Sequence, residues 1–432
     1  MGSVILKGLS TENFASFADR TYFTTKADIV KKEYLENTFS QGDDVFNKVS
    51  FLYGANGSGK TFFCKMLIEI QRLLALSPMT AVNNARLLSL PQFKGIDAPV
   101  ATFAFDVAYN DKPTFFGIDI VMDNITYHYE FAIKNKKVMS ELLTKKYRRT
   151  EKLLVRTSAS YKDITLHSEF KEFEAMKQVV KEEALCLPMA AFLNIPLAVE
   201  INESIKGINV LNMTAPRIDP VTSKESFSFE RITKYVDVLR KADSTLRKMK
   251  ISFEEEETGR QKIELDGFEN REIMAMKATV NLETEHAVFD KGVEISSAPI
   301  DFFSDESLGT VKLFTVLPHL YDILENGGIL ILDEVENGLH LSLVKELIQL
   351  FISSESNPKG AQLICTSHQP LLVEGNVRRD QVWIMSKDNY GKCTLQRMSD
   401  LSTSRAKVNL AKRLMEGALG CNPNRFFTEN NT

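Results

Sequence analysis

The sequence predicts an α/β fold built around a P-loop, and three patterns predict it. The apolar run Val49-Ser50-Phe51-Leu52-Tyr53 enters Gly54-Ala55-Asn56-Gly57-Ser58-Gly59-Lys60-Thr61, and Phe62, Phe63, Met66, Leu67 and Ile70 follow at helical spacing. A strand therefore delivers a glycine-rich loop into a helix that begins near Thr61, which is the context phosphate binding requires of this pattern. Far along the chain, Ile329-Leu330-Ile331-Leu332 is apolar throughout and ends on Asp333-Glu334. A strand buried on both faces shows charge only where it emerges at its C-terminal edge. Between these two, Tyr127, Tyr129, Phe131 and Ile133 recur at every second position, the period of antiparallel strands.

The elements follow in order. Val4 to Leu9 and Arg20 to Phe23 read as short strands around a turn at Asn13-Phe14-Ala15-Ser16-Phe17. After the P-loop helix, residues 100 to 134 read as a meander of three antiparallel strands, with turns at Asn110-Asp111-Lys112-Pro113 and Asp123-Asn124. Residues 150 to 260 read as mainly helical, with helices over Glu169 to Leu185 and Phe229 to Met249, and neither sustains the heptads of a long coiled-coil arm. Short strands are expected at Ile251-Ser252-Phe253 and Ala275 to Leu282. From 300 on, α/β alternation returns: a helix at Leu313 to Leu324, a strand at Gly328 to Leu332, a helix at Leu341 to Ile352, and strands at Ala361 to Thr366 and Gln381 to Ser386. The expected division is 1–150, 151–300 as an insertion, and 301–432, so that nucleotide machinery stands at both ends of the chain.

Composition narrows the class. A net charge of −4 over 432 residues argues against a surface basic enough for indiscriminate nucleic-acid binding, and Lys145-Lys146-Tyr147-Arg148-Arg149 and Arg378-Arg379 read as solvated faces. Five scattered cysteines with no C-x-x-C pair fit reduced thiols and neither a disulfide framework nor a zinc site. No apolar stretch is long enough to span a membrane and no leader pattern opens the chain, so a cytoplasmic protein without a membrane partner is expected.

The residue types point to phosphate chemistry. Glycines let the loop curl its N–H groups inward, Lys60 is suited to reach the β- and γ-phosphates of ATP, and Thr61 offers its hydroxyl to Mg²⁺. Asp333 is expected to bind Mg²⁺ directly or through water, and Glu334 to accept a proton from the attacking water or orient it. Thr366-Ser367-His368 closes the next apolar strand, which brings His368 to the same sheet edge, where an imidazole can report a γ-phosphate. Glu306-Ser307-Leu308-Gly309-Thr310 precedes a helix, and Ser307 with the exposed N–H groups there can cap it or, as an ABC-type signature, bind the γ-phosphate held by a second subunit.

Taken together, the G-A-N-G-S-G-K-T loop, E-S-x-G-T, I-L-I-L-D-E-V-E-N-G-L-H and T-S-H-Q-P-L-L resemble the ABC-related, SMC-like ATP-binding proteins of bacterial phage-defence operons, the RloA and AbiL type. The similarity runs from Asn13 to Phe17 through Arg378 to Trp383 and on to Gly417 to Asn424. It implies an ABC-type ATPase head with an antiparallel β subdomain and an inserted, mainly helical region. It further implies that Gly54, Asn56, Gly57, Ser58, Gly59, Lys60 and Thr61 bind nucleotide, Ser307 and Gly309 contact ATP in trans, Glu334 is catalytic and His368 is the switch. Asn337 to His340 would be the D-loop; no glutamine is assigned to a Q-loop, and Gln92 reads as a surface residue. The implied cofactors are ATP and Mg²⁺, and the implied partners are further copies of the chain with nucleotide between them and a separate effector, a nuclease or toxin. Only about thirty residues follow Leu401, too few for a fused nuclease domain. A RecF-like or SMC-like repair ATPase that binds nucleic acid directly, and an ATP-dependent scaffold with little turnover, remain as alternatives.

Overall fold

Strands with apolar side chains on both faces need neighbours on both faces, and in the computed structural model, which describes residues 4–30, 33–81, 96–214, 227–263, 271–401, 412 and 414, they find them. Val49–Gly54, Ile329–Asp333 and Gln362–Ser367 are buried at every residue. They form the middle of a six-stranded sheet in the order Asn209–Asn212, Ile329–Asp333, Gln362–Ser367, Val49–Gly54, Val382–Lys387, Cys393–Arg397. The first five are parallel and the last runs antiparallel to its neighbour. Parallel strands end at one edge, so Gly54, Asp333 and Ser367 emerge together, with the Gln362–Ser367 strand standing between the P-loop strand and the acidic one.

The period of two decides what covers each face. Ile329, Ile331 and Ile364 pack with Phe63, Cys64 and Leu67 of the P-loop helix, Lys60–Ala81. Leu330, Leu332 and Leu363 point the other way, into a cluster with Phe314, Leu317 and Leu320 of helix Leu308–Asn326 and Val344 and Leu347 of helix Leu341–Ile352. Each fully buried aliphatic side chain contributes about 1.5–3 kcal/mol to that packing. The P-loop helix is covered on its far side by a seven-stranded antiparallel sheet, in the order Ile164–Leu166, Thr150–Arg156, Lys137–Lys146, Ile125–Lys134, Thr114–Met122, Ile5–Glu12, Thr21–Thr24. Ile118, Phe131 and Leu143 from that sheet share its hydrophobic cluster. The expected α/β fold around the P-loop, with an antiparallel β subdomain, is thus the fold observed.

Several element expectations are corrected. The meander has five strands, begins at Thr114 and runs to Leu166, past residue 150. The 151–300 region carries α-helices Cys186–Phe192, Pro196–Lys206 and Phe229–Ala242, but among its described residues strand outweighs α-helix. Ser168–Val179 winds as 3₁₀ helix because its buried anchors, Phe170 and Phe173, stand three apart, the spacing that falls on one side of a three-residue turn. The Phe229–Ala242 helix stops short of Met249 because the Asp243 carboxylate accepts from the Thr245 N–H and hydroxyl at 2.9 and 2.7 Å, closing a side-chain turn. Beyond it Leu246–Ile263 and Arg271–Asp290 form a long hairpin, joined by Val293–Asp301 into a three-stranded sheet. Dense charge from Glu254 to Glu257 hides the strand period there. Gln92, Cys421 and Gly417 to Asn424 lie outside the described residues. No described helix is long and apolar enough to cross a membrane.

Candidate functional site

The loop after Val49–Gly54 turns on glycines that the chain could not replace cheaply. Gly57 and Gly59 hold φ of 80° and 104°, and a Cβ on Gly59 would stand 2.7 Å from the Cys393 sulfur beneath the loop. Cys393 donates its thiol to the Ser58 carbonyl at 2.8 Å, tying the loop to the edge strand. Lys60 is buried, and its ammonium donates to the Gly54 and Ala55 carbonyls at 2.6 and 3.1 Å. Asn56, Gly57, Gly59, Lys60, Thr61 and Phe62 line a cleft of about 340 Å³, and the wall opposite them is Glu334 and His368. Three motifs remote in sequence therefore meet in one place.

Asp333 is buried, and its Oδ1 accepts the Thr366 hydroxyl at 2.6 Å. The same hydroxyl oxygen accepts the Glu334 N–H at 2.8 Å, so one threonine from the intervening strand holds both acidic residues. Glu334 has a φ of 56°, a left-handed conformation that non-glycine residues seldom adopt and that functional sites retain. Its carbonyl accepts the Asn337 N–H at 2.9 Å and its Oε2 the Asn337 side-chain amide at 3.2 Å. Asn337 in turn accepts from the Lys312 ammonium at its Oδ1, 2.7 Å, and at its carbonyl, 3.1 Å. Burial pushes the Lys312 ammonium below the usual lysine range, and the Glu334 charge pulls it back. On the P-loop helix, burial first and the Asp333 charge second push the Cys64 thiol well above its ordinary range, so it is a neutral neighbour of the acid.

Ser307 caps helix Leu308–Asn326, accepting the Thr310 N–H at 3.1 Å. Gly309 packs backbone to backbone on the loop after the acidic strand: a Cβ there would lie 3.0 Å from the Gly338 carbonyl. Ser307, Gly309, Gly338 and His340 line a second cleft, of about 640 Å³, which shares no lining residue with the first. Within one chain, then, the structure brings Lys60, Thr61, Glu334 and His368 together and sets Ser307 and Gly309 apart from them.

The donor set fits a magnesium nucleotide. The Thr61 hydroxyl and the Asp333 carboxylate are hard oxygen ligands of the kind Mg²⁺ prefers, and the buried Ser58 hydroxyl has no partner among the described residues. Sequence reasoning missed Thr366, Lys312 and Glu336 as members of this site. Lys312 left a signal, a single charge inside the apolar run Leu308 to Leu317. Thr366 left none, because its role depends on which strand lies beside Asp333.

No curated protein matches the chain. Among solved structures it is similar to the "SMC head domain from Thermotoga maritima", at 9% identity and a TM-score of 0.32, over 91% of this chain and 98% of that one. Residues 49–174 and 202–374, more than half of the chain, match the family model described as "AAA domain, putative AbiEii toxin, Type IV TA system". With its P-loop, its acidic strand end and its histidine inside the matched segments, the chain belongs to that family of AAA domains.

Proposed function

We propose that this chain is an ATPase whose nucleotide sits between two copies, and that it acts as the switch of a bacterial defence system controlling a separate effector, a nuclease or toxin. The observation that carries the reading is the pair of clefts: Lys60, Thr61, Glu334 and His368 line one, and Ser307 and Gly309 line the other. A site completed in trans needs that separation. In it, Lys60 and the loop N–H groups bind the phosphates, Thr61 and Asp333 would hold Mg²⁺, and Glu334 orients the attacking water and takes its proton. Magnesium, when bound, neutralises charge on the phosphate oxygens. Water adds to the γ-phosphorus as the bond to the ADP oxygen breaks, giving ADP and phosphate. The description of the matched family names a toxin of a toxin–antitoxin system, which supports the defence role.

The test is turnover and mass of the purified chain. ATP hydrolysis is expected to rise more than linearly with protein concentration, and Glu334→Gln to lower turnover by about 10²- to 10⁴-fold while trapping ATP-bound oligomers visible by light scattering. Concentration-independent hydrolysis by a monomer would overturn the shared site.

A second reading has one observation in its favour. The hairpin turn between Lys137–Lys146 and Thr150–Arg156 exposes Tyr147 with Lys146, Arg148 and Arg149, and the Arg148 guanidinium stands 5.7 Å from the Tyr147 ring centre. Cations around an exposed aromatic suit a nucleic-acid strand. Binding of duplex or single-stranded DNA that weakens steeply with salt, and is lost in Arg148→Ala/Arg149→Ala, would favour it.

A further inference from the structure

Two glutamates follow the acidic strand two positions apart, and the fold sends them in different directions. Glu334 lines the P-loop cleft, whereas Glu336 does not; its side chain is only 12% exposed. Glu336 Oε1 accepts the His368 backbone N–H at 2.7 Å and lies 3.1 Å from Nδ1 of the same ring. The His368 side chain is 52% exposed at the mouth of the cleft, so neighbouring packing covers only half of it. A carboxylate that grips both its backbone and one ring nitrogen supplies the missing constraint.

The second oxygen points to the same conclusion. Glu336 Oε2 is buried and has no hydrogen-bond partner among the described residues. An acid kept for stability alone would not be expected to leave a carboxylate oxygen buried and unpaired. Tyr53, near the end of the P-loop strand, is buried close by: burial first and the Glu336 charge second push its hydroxyl well above the ordinary tyrosine range. The phenol therefore stays neutral.

We propose that Glu336 is the positioning residue of His368: its carboxylate accepts the hydrogen bond of Nδ1–H, fixes the ring plane, and leaves Nε2 as the nitrogen presented to the nucleotide. A carboxylate has only lone pairs to offer, so the nitrogen beside it must carry the hydrogen. The ring then faces the cleft through one defined atom. Glu334 and Glu336 divide the work, the first toward water and the second toward the histidine. This inference rests on the reading of His368 as a nucleotide contact.

The experiment has two arms on the full chain. In the first, imidazole nitrogens are observed by long-range proton–nitrogen correlation without nucleotide, the His368 signals being assigned by their loss in His368→Ala. Protonated Nδ1 is expected in the wild type, with a shift toward the Nε2-protonated form in Glu336→Ala; His368 signals unchanged by Glu336→Ala would overturn the proposal. In the second arm, Glu336→Ala is expected to lower kcat on the order of 10- to 100-fold with little change in KM, and Glu336→Ala/His368→Ala to be no slower than His368→Ala alone. Glu336→Gln, which keeps an acceptor oxygen, should recover part of the rate and serves if the alanine variant does not fold. Additive losses in the double variant would mean that Glu336 acts apart from His368. If the wild type hydrolyses no ATP, the ATPase reading fails, and the first arm still decides whether Glu336 holds the ring.

Discussion

At the scale of single residues, Thr366 carries more of the site than its neighbours in sequence suggest. Its hydroxyl donates to Asp333 and accepts from the N–H of Glu334, whose φ of 56° needs such support. Thr366→Val keeps the shape and removes both bonds. Because it leaves a buried carboxylate oxygen and a backbone N–H unpaired, about 1–3 kcal/mol of stability should be lost. Chemical unfolding measures that loss, and turnover should fall with it, since the Glu334 turn loses its anchor. Lys312 differs in kind, because its ammonium donates to the Asn337 carbonyl and amide oxygen. Lys312→Met preserves the buried stem and frees Asn337 from the helix. Hydrolysis should drop while the melting temperature changes little; a large loss of stability with normal hydrolysis would show Lys312 to be a structural cation only.

At the scale of elements, the antiparallel sheet holds a titrating group away from the chemistry. His128 lies 2.5 Å from Asp119 and 3.1 Å from Glu130, and these bonds, the Asp119 one first, push its pKa up to about 9 against the opposing effect of burial. A histidine raised from 6.5 in the unfolded chain to about 9 in the folded one stabilises fully below about pH 6.5, and that contribution fades as pH rises toward 9. His128→Gln should therefore be less stable than the wild type at pH 6, with the gap closing by pH 9.5; thermal unfolding across that range checks it. Element legibility followed packing. Val49–Gly54 and Ile329–Asp333 were readable because both their faces are buried and their composition shows it. Leu246–Ile263 was legible only at Ile251-Ser252-Phe253, because the acidic residues that follow mask its period.

At the scale of the whole molecule, the two clefts make a prediction that no single variant can. Lys60→Ala removes the phosphate-binding half of the site, and Ser307→Arg obstructs the signature half. Each alone should be inactive. In a mixed dimer, one of the two sites joins an intact P-loop to an intact signature, so mixing should restore roughly a quarter of wild-type hydrolysis if pairing is random and closed two-fold symmetry holds. Hydrolysis measured on titrated mixtures decides this, and no recovery at any ratio would mean that the two clefts do not meet across copies.

Sequence by itself determined the P-loop, the acidic strand end, the histidine at the next strand end and the capped start of the Leu308–Asn326 helix, because each is written in a few adjacent residues whose types serve local chemistry. It placed Glu334 and His368 at one sheet edge because parallel strands must end there. Tertiary structure alone decided that Thr366 bridges Asp333 and Glu334, that Lys312 reaches Asn337, that Glu336 turns to His368, and that Ser307 opens on a separate cleft. Those four relations span strands and helices distant along the chain. Hydrogen bonds of about 3 Å depend on register and packing between elements, and no pattern within one segment encodes that distance.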